Sequence, residues 1–346
     1  MKKLLYLLCA LMLTFSLSPV SAENATRTFT DSLGREVTLP AQIERIAVTG
    51  PIGKITLFAI APDLMVGLPE PWDDIEKAYI DEKYHDMHTL GQLYGGKGGL
   101  NLEELLMADP QVVIDIGDGK EGMAEDMDSL TQQTGLPWVH IEAQIDTLDE
   151  TYTLLGELLG REEQGKKLAD YCKNTYNSLI SLMEGAEKAN VLYILGDKGL
   201  NVLAANSYHS TIIDLMANNL AVVDNPLSKG TGNEVDMEQI LLWNPDVILF
   251  APDSIYDTVQ EDPIWQSLSA IQTGRYYKVP LGPFNWMGMP PAAQRLLGMM
   301  WMGSLLYPEA VEYDLYEAVS EYYQLFYHKE LTPEQYNELT KASLPQ

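Results

Sequence analysis

Seven side chains suited to ligand recognition lie in loops next to apolar runs of the sequence. They are aromatic, basic or imidazole side chains: Tyr94, Lys97, Tyr208, His209, Lys229, Trp286 and Arg295. Indole and phenol rings stack on planar ligands, and Arg or Lys pairs with anionic groups. The imidazole of His209 is suited to completing the coordination of a metal. The set therefore predicts a site for a large, partly aromatic, metal-bearing ligand.

Three of these residues also have purely structural interpretations. Trp286 lies beside Met287 and Met289 and suits core packing. His209 suits a helix cap or a hydrogen-bonded surface position. Arg295 begins an apolar helix, where it can cap the helix or pair locally. The sequence leaves both interpretations open for each residue.

Motifs of catalysis are absent from the sequence. The glycine-rich stretch YGGKGGLN lacks the spacing of a phosphate-binding loop, and a Gly follows Lys97 where a Ser or Thr is required. No G-x-S-x-G, H-E-x-x-H or S-x-x-K pattern of known hydrolases occurs. Asp115 and Asp118 lie close together, but acids after a strand are too common to indicate a catalytic pair. The sequence predicts no enzyme.

His85 and His88 form an H-x-x-H pattern in KYHDMHTL. One helical turn would place both imidazoles on one face, as a metal site requires. No third ligand stands at a fixed spacing, so an exposed polar segment is the favoured interpretation.

A helix-turn-strand pattern occurs twice in the chain. Residues 101–115 (NLEELLMADPQVVID) and 236–250 (DMEQILLWNPDVILF) align at an offset of 135 residues with identical Glu, Leu, Pro and Val. The apolar positions fit one helix face, and the Pro ends the helix because it disfavours helical geometry in the preceding residue. The apolar runs that follow suit strands covered on both faces. Similar alternation around each copy predicts parallel-sheet α/β units.

The segment between the two copies predicts a stiff connection. Residues 148–185 keep apolar side chains at helical spacing and contain no proline, which indicates a long helix with a break near Gly160. We therefore predict an α/β fold with two similar lobes of mainly parallel sheet, residues 23–145 and 188–346. One long backbone helix within residues 146–187 joins them. A ligand cleft is expected between the lobes, beyond the carboxyl ends of the strands.

The N-terminus has the three parts of a secretory signal in residues 1–22. A basic MKK precedes the apolar LLYLLCALMLTF, and small residues end at Ala22. We expect cleavage after Ala22 and a soluble periplasmic protein without direct membrane insertion. Cys172 is then the remaining cysteine, which excludes an intramolecular disulfide. Loss of Lys2 and Lys3 leaves 20 basic and 50 acidic residues, a formal charge of −30 that disfavours nucleic acid as a partner.

Several segments resemble periplasmic binding proteins of the iron-siderophore, haem and cobalamin type. TFTDSLGREVTLPAQIERIAVTGP resembles the start of these receptors, and the two repeat copies resemble their paired helix-strand signatures. IWQSLSAIQTGRYYKVP and LLGMMWMGSLLYPE resemble their last strand and closing helix. The resemblance extends over most of residues 28–328. It implies a monomeric receptor of an ABC importer that holds no cofactor, binds a small-molecule metal chelate and delivers it to a membrane permease.

The resemblance also implies a carboxylate on each lobe that meets arginines of the permease. Alignment places the C-lobe carboxylate at Asp214, although this residue also suits an ordinary exposed helical acid. The N-lobe position falls on Ile55, where the family has Glu, and Lys54 lies beside it. Another acid, Glu70 or Asp73, is expected to replace the missing carboxylate.

The leading prediction is thus a receptor for a ferric siderophore, haem, cobalamin or a similar chelate. The alternative on the same fold is a bare oxyanion such as molybdate or tungstate, or a small nickel or iron chelate. Arg295, His209 and Lys229 would then converge on a compact site. A wide cleft shaped by Trp286 and Tyr94 favours the first prediction, and a small pocket favours the second.

Two further classes of protein remain as alternatives. One is an exported enzyme, for which the sequence offers no nucleophile and base. The other is a sensory protein that uses the same ligand to engage a membrane receptor.

Overall fold

The computed structural model describes residues 25–93 and 99–345, which form two α/β lobes and a helical connection. The predicted fold class is thereby confirmed. The signal segment and two of the predicted ligand-binding residues, Tyr94 and Lys97, lie outside the described residues.

In its described residues, the N-terminal lobe contains five strands and four α-helices. They are β1 (Thr26–Thr30), β2 (Glu36–Pro40), β3 (Ile46–Val48), α1 (Pro51–Ile60), α2 (Asp74–Lys77), α3 (Leu102–Met107), β4 (Val112–Gly117), α4 (Met123–Thr134) and β5 (Trp138–Glu142). β1 and β2 form an antiparallel hairpin, and the parallel sheet has the order β3-β4-β5. Every residue of β4 is buried, as expected for a central strand covered on both faces.

The connection consists of two helices, α5 (Leu148–Leu159) and α6 (Glu162–Ser181), which pack against each other. The predicted break falls at Gly160, whose φ of +63° lies in the left-handed region that glycine adopts at helix ends. A Cβ on Gly165 would lie 2.6 Å from the carbonyl oxygen of Tyr152, so the close approach of the helices requires glycine there. Helices α5 and α6 are the two parts of the predicted broken helix, and α5 folds back against the twenty-residue α6.

The C-terminal lobe has a larger, mixed sheet. Its elements are β6 (Asn190–Leu195), β7 (Asn201–Val202), α7 (Thr211–Met216), β8 (Asn218–Asn219), β9 (Asn233–Glu234), α8 (Met237–Trp243), β10 (Val247–Phe250), α9 (Ser269–Gln272), β11 (Tyr276–Lys278), α10 (Arg295–Leu306), α11 (Leu315–Phe326) and α12 (Pro333–Thr340). The sheet order is β11-β10-β6-β7-β9, and β8 pairs with the start of β6. The β6–β7 and β7–β9 pairs are antiparallel, and the others are parallel.

The sequence repeat folds into the same local structure in both lobes. Asn101 caps α3 and Asp236 caps α8, each through a side-chain oxygen that accepts backbone N–H groups of the first turn. The residues before the two prolines, Asp109 and Asn244, have φ of 51° and 38°. This left-handed conformation ends each helix and directs the chain into β4 and β10. The predicted helix-turn-strand repeat is therefore present.

One hydrophobic cluster extends across both lobes, and each lobe has a further cluster of its own, around Trp138 in the N-terminal lobe and around Trp265 in the C-terminal lobe. Phe58 of α1 packs against Trp72, and Phe284 of the C-terminal lobe reaches the same indole, with ring centroids 5.3 and 6.3 Å apart respectively. Helix α11 also packs on α1, and Nε2 of His328 lies 3.0 Å from the carbonyl oxygen of Phe58. The C-terminal helices thus contact both lobes, although in sequence they lie within the predicted C-terminal lobe, residues 188–346.

Candidate functional site

A cleft of about 540 Å³ lies between the lobes at the carboxyl ends of β3 and β4. The N-terminal lobe lines it with Gly50, Pro51, Ile52, Asp115, Ile116, Gly117, Asp118, Lys120 and Met123. The C-terminal lobe lines it with Tyr208, His209, Ser228, Gly230, Met289, Pro290 and Pro291. This is the place where parallel α/β sheets bind ligands.

The first turn of α1 opens onto the cleft. Gly50 occupies the N-cap with no side-chain cap, Pro51 follows, and no acidic residue lies in the first turn. The first N–H groups of a helix have no intrahelical acceptor, and the helix dipole places partial positive charge there. Gly53 allows the turn to lie close to the sheet, because a Cβ there would be 2.6 Å from Cγ2 of Val48. The N-terminal lobe thus offers backbone donors suited to an anion.

Arg295, at the start of α10, is a buried positive charge next to Tyr208, although it is not itself among the residues that line the cleft. Its side chain is 2% exposed, and its Nη2 donates to the carbonyl oxygen of Tyr208 at 2.8 Å. The guanidinium carbon lies 4.9 Å from the centroid of the Tyr208 ring. None of the described residues accepts a hydrogen bond from Nε of Arg295. Burial lowers the pKa of Arg295 to about 10, which leaves it charged at neutral pH.

Tyr208 and His209 bring two more polar atoms to this wall. The Tyr208 hydroxyl and Nδ1 of His209 are both buried without a hydrogen-bond partner among the described residues. Burial and the charge of Arg295 lower the pKa of His209, and burial raises the pKa of Tyr208 to about 12. Both side chains are therefore neutral near pH 7. Together with Nε of Arg295, three buried polar atoms of these neighbouring residues lack a hydrogen-bond partner among the described residues.

Asp115 belongs to a buried network behind the N-lobe wall. Its carboxylate accepts hydrogen bonds from Oγ1 of Thr49 at 2.5 Å and from Nδ1 of His140 at 2.9 Å. Thr49 immediately precedes the N-cap of α1. The network therefore fixes the strand-to-helix turn that presents the α1 donors to the cleft.

Asp118 also lines the cleft and is more exposed than Asp115. Nε2 of Gln144 donates a hydrogen bond to its Oδ1. Burial raises the pKa of Asp118, while the hydrogen bond from Gln144 and the charge of Arg295 oppose that shift. The carboxyl group lies near enough to the C-terminal lobe for the two charges to act on each other.

A buried ion pair holds α1 where the lobes meet. Nζ of Lys54, 1% exposed, lies 2.9 and 3.0 Å from the carboxylate oxygens of Glu76. It also lies 4.1 Å from the ring centroid of Trp72 and 5.9 Å from that of Phe284. Burial raises the pKa of Glu76, against the opposing effect of Lys54. Lys54 therefore serves the packing of the lobes and is not exposed for docking.

Besides Arg295, two of the predicted ligand-binding residues in the described part of the chain, Trp286 and Lys229, are not among those that line the cleft. Trp286 is fully buried in the core and donates a hydrogen bond from Nε1 to the carbonyl oxygen of Gly282. The prediction that Trp286 contacts the ligand is wrong, because an indole without exposed surface cannot stack on a ligand. Lys229 is exposed between the lining residues Ser228 and Gly230, at the rim of the cleft.

The predicted docking positions are also occupied by internal contacts. Asp214 is half-buried, and its carboxylate accepts hydrogen bonds from the backbone N of Asn206, Oγ of Ser210 and Nδ2 of Asn219. This corrects the picture of an exposed docking acid, because the carboxylate holds the turn before α7. Ile55 is buried at 2% exposure, so a hydrophobic residue suits that site.

The two acids expected to replace Ile55 have different roles. Glu70 is exposed and accepts a hydrogen bond from Nε2 of Gln92. Asp73 is exposed but caps α2 through the N–H of Glu76. Glu70 thus keeps more of its carboxylate available to a partner.

The H-x-x-H pattern does not form a metal site. His85 lies 3.0 Å from the carbonyl oxygen of Ile80, and His88 pairs with Glu104 at 2.6 Å. Among the described residues, no group of three His, Cys, Asp or Glu side chains is placed to hold a metal ion. The donors around the cleft, which are Tyr208, His209 and the first turn of α1, suit an anion or an already chelated metal better than a bare cation.

The charged residues of the N-lobe wall were not predicted from the sequence. The sequence suggests ordinary loop acids at Asp115 and Asp118 and gives no prediction for Lys120. The signal that could have found them is their position at the end of the apolar run VVIDIG, since ligand contacts follow the carboxyl ends of such strands.

Two α/β lobes with a common core and a cleft of ligand size define the class of solute receptors. Within the described part of the chain, no helix has the length and hydropathy needed to cross a bilayer. The chain belongs to the periplasmic binding protein family, whose model matches residues 60–281. It is therefore a small-molecule receptor of the kind that serves ABC importers outside the cytoplasm, and the resemblance found in the sequence is confirmed.

Three relatives give the family match more detail. The molybdate-binding protein MolA of Haemophilus influenzae is 25% identical over 337 residues, covering 90% of this chain and 93% of MolA. The Fe(3+)-citrate-binding protein YfmC of Bacillus subtilis is 24% identical over 191 residues, covering 53% of this chain and 58% of YfmC. An ABC transporter solute-binding protein from Sulfurospirillum deleyianum has a solved structure with a TM-score of 0.82 and 28% identity, covering 91% and 99% of the two chains.

Proposed function

We propose that this receptor captures a compact oxyanion of the molybdate type in the interlobe cleft and delivers it to an ABC permease. The observation that carries the proposal is the set of orphaned polar atoms on Tyr208 and His209, which line the cleft together with the start of α1, and on Arg295 next to Tyr208. Buried polar atoms without partners in a native protein call for a bound molecule or water. A tetrahedral anion has oxygen acceptors in several directions and suits donors from both walls.

The similarity to MolA supports this choice of ligand, because that relative is a molybdate-binding protein. The position of Trp286 supports it as well. A haem, cobalamin or catecholate siderophore is best held by exposed aromatic faces, and Trp286 and Phe284 are both buried. Tyr208 is the aromatic residue among the described residues that line the cleft.

A small anionic iron chelate is the second candidate ligand. The cleft volume of about 540 Å³ exceeds what a tetrahedral oxyanion occupies and matches small organic ligands. The Fe(3+)-citrate-binding relative points to the same class. Such a chelate would use the same cationic wall, because its outer surface carries carboxylate oxygens.

Titration calorimetry with sodium molybdate, sodium tungstate and ferric citrate tests the proposal. We expect molybdate to bind more tightly than about 1 mM and Arg295→Gln to weaken binding at least about tenfold, since a buried charged hydrogen bond contributes roughly 1.5–3 kcal/mol. Arg295→Lys keeps the charge and tests whether the guanidinium geometry matters. Arg275→Gln, an exposed position in the same lobe, is the matched control. Binding of ferric citrate without any binding of molybdate or tungstate would replace the first ligand class by the second.

Export through a signal cleaved after Ala22, a monomeric state and docking to a permease belong to the same proposal. The net acidic chain and the exposed Glu70 support an encounter with a basic partner surface. The intact mass of protein recovered from the periplasm tests the cleavage site, and native mass spectrometry tests the monomeric state. Retention of an iron-containing organic mass in that experiment would favour the chelate.

A further inference from the structure

Asp118 places a carboxyl group on the N-lobe wall of the cleft, close enough to the C-terminal lobe to interact with the charge of Arg295. An anion bound between the first turn of α1 and the side chains of Tyr208 and His209 therefore meets the carboxyl group of Asp118 inside the same cleft. Two like charges in one site raise each other's pKa until one group takes up a proton. A proton shared between the two oxygens removes the repulsion and forms a hydrogen bond.

We propose that Asp118 is a specificity-determining residue that requires one proton between its carboxyl group and the bound anion. The inference rests on the proposed function, since it concerns the ligand of that same cleft. An anion with its own hydroxyl group, such as monohydrogen phosphate or a hydroxycarboxylate chelate, donates that proton to the carboxylate. A bare dianion, such as sulfate or molybdate, binds only with uptake of a proton from solvent by Asp118.

The groups around Asp118 make this proton uptake accessible. Gln144 donates to one carboxyl oxygen, and Arg295 and Lys120 favour the charged form. Burial and the charge of Glu142 favour the protonated form. Burial is the largest of these effects, so the pKa of Asp118 is already raised before any anion enters.

The pH dependence of anion binding tests the inference. Between about pH 6 and pH 8, the affinity of the wild-type protein for sulfate and molybdate is expected to fall about tenfold for each unit of rising pH. Calorimetry in two buffers of different ionisation enthalpy should show uptake of one proton. Phosphate, under conditions where it is the monohydrogen dianion, should bind without uptake.

Two variants separate Asp118 from its neighbours. Asp118→Asn should remove the pH dependence and the proton uptake for sulfate and molybdate, strengthen their binding at neutral pH, and weaken the binding of monohydrogen phosphate. Glu121→Gln, an exposed acid three residues after Asp118 that does not line the cleft, is the matched control and should keep the wild-type pattern.

Two outcomes would overturn the inference while leaving the proposed function intact. Sulfate and molybdate that bind the wild-type protein without proton uptake would show that no proton is required. Uptake that persists in Asp118→Asn would assign the proton to another group, with His209 the first to examine. If neither these anions nor phosphate binds the wild-type protein at millimolar concentration, the proposed function itself fails, and the inference fails with it.

Discussion

The two lobes use the same helix-turn-strand unit but present opposite chemistry at its end. The fourth residue of β4 is Asp115, and the residue 135 positions later is Phe250, the last of β10. Asp115 lines the cleft and accepts hydrogen bonds from Thr49 and His140. Phe250 is fully buried and packs against Trp265 at a centroid distance of 5.7 Å. The repeat therefore places a strand residue at an equivalent position in each lobe, and the identity of that residue determines whether the position belongs to the site or to the core.

The difference extends to how each lobe would hold an anion. The N-terminal lobe offers backbone donors at α1 and the carboxyl group of Asp118, both fixed by the sheet below them. The C-terminal lobe offers side chains on separate elements, Tyr208 and His209 before α7 and Arg295 on α10. Backbone donors tolerate most substitutions, whereas the side-chain donors depend on particular residues. Mutations that damage one wall at a time can separate these contributions.

The largest effect is expected at the ion pair that holds α1. Glu76→Leu would leave the buried Lys54 without a partner and should lower the free energy of unfolding by about 3–5 kcal/mol. The double variant Lys54→Met with Glu76→Leu should recover most of that loss. Asp170→Ala breaks the exposed pair with Lys166, whose side chains are 58% and 72% exposed, and should cost less than about 1 kcal/mol. Urea unfolding measures all three variants. Equal losses for Glu76→Leu and Asp170→Ala would contradict the assignment of a buried pair.

An intermediate effect is expected from glycines that make room for the site. Gly288 has φ of +86°, and a Cβ there would lie 2.5 Å from Cγ of Arg295, so Gly288→Ala should displace the guanidinium. We expect anion affinity to fall at least about tenfold, as for loss of a charged hydrogen bond. Gly53→Ala would press on Val48 and shift the first turn of α1, with a smaller loss.

Gly135→Ala is the control for these glycine variants. Gly135 also has positive φ, at 72°, but its Cβ would meet no heavy atom within 4 Å, so it reports backbone strain alone. Anion binding by calorimetry should be unchanged in that variant. If Gly288→Ala binds the anion as well as Gly135→Ala does, Arg295 has no part in the site.

The smallest effect concerns two histidines with lowered pKa values. Burial lowers the pKa of both His209 and His328, and only His209 lies in the cleft. A bound anion should raise the pKa of His209 and leave that of His328 unchanged, which an NMR titration with and without molybdate would detect. Because the folded state disfavours the charged imidazoles, stability should fall as the pH drops below the ordinary histidine pKa of about 6.5. A shift of both resonances, or of neither, would argue against anion binding beside His209.

Local sequence signals were sufficient for the elements of the fold. Pro110 and Pro245 end their helices after residues in the left-handed region, and Gly160 breaks the connection at the predicted place. These effects act within a few residues and can therefore be predicted from one sequence. The folding of α5 against α6 depends on contacts between Gly165 and Tyr152, which spacing alone does not show.

The site could be predicted only in part, because exposure is decided by distant packing. The wall formed by His209, Tyr208 and Arg295 follows from loop position and side-chain chemistry. Trp286 satisfies the same criteria, yet helices α10 and α11 cover it, and no local pattern distinguishes a covered indole from an exposed one. Asp214 was predicted for docking because of its residue type, but its three hydrogen bonds come from residues that flank α7.

The hydrophobic cluster that spans both lobes has a consequence for thermal unfolding. Side chains of α1, α6 and α11 occupy one apolar interior, so neither lobe can lose its structure while the other retains all its contacts. Heating should therefore produce one cooperative calorimetric transition, with a van't Hoff enthalpy equal to the calorimetric enthalpy. Ligand bound in the cleft would then raise the melting temperature of the whole chain by mass action. A loaded receptor is in this way also a more heat-resistant and protease-resistant one.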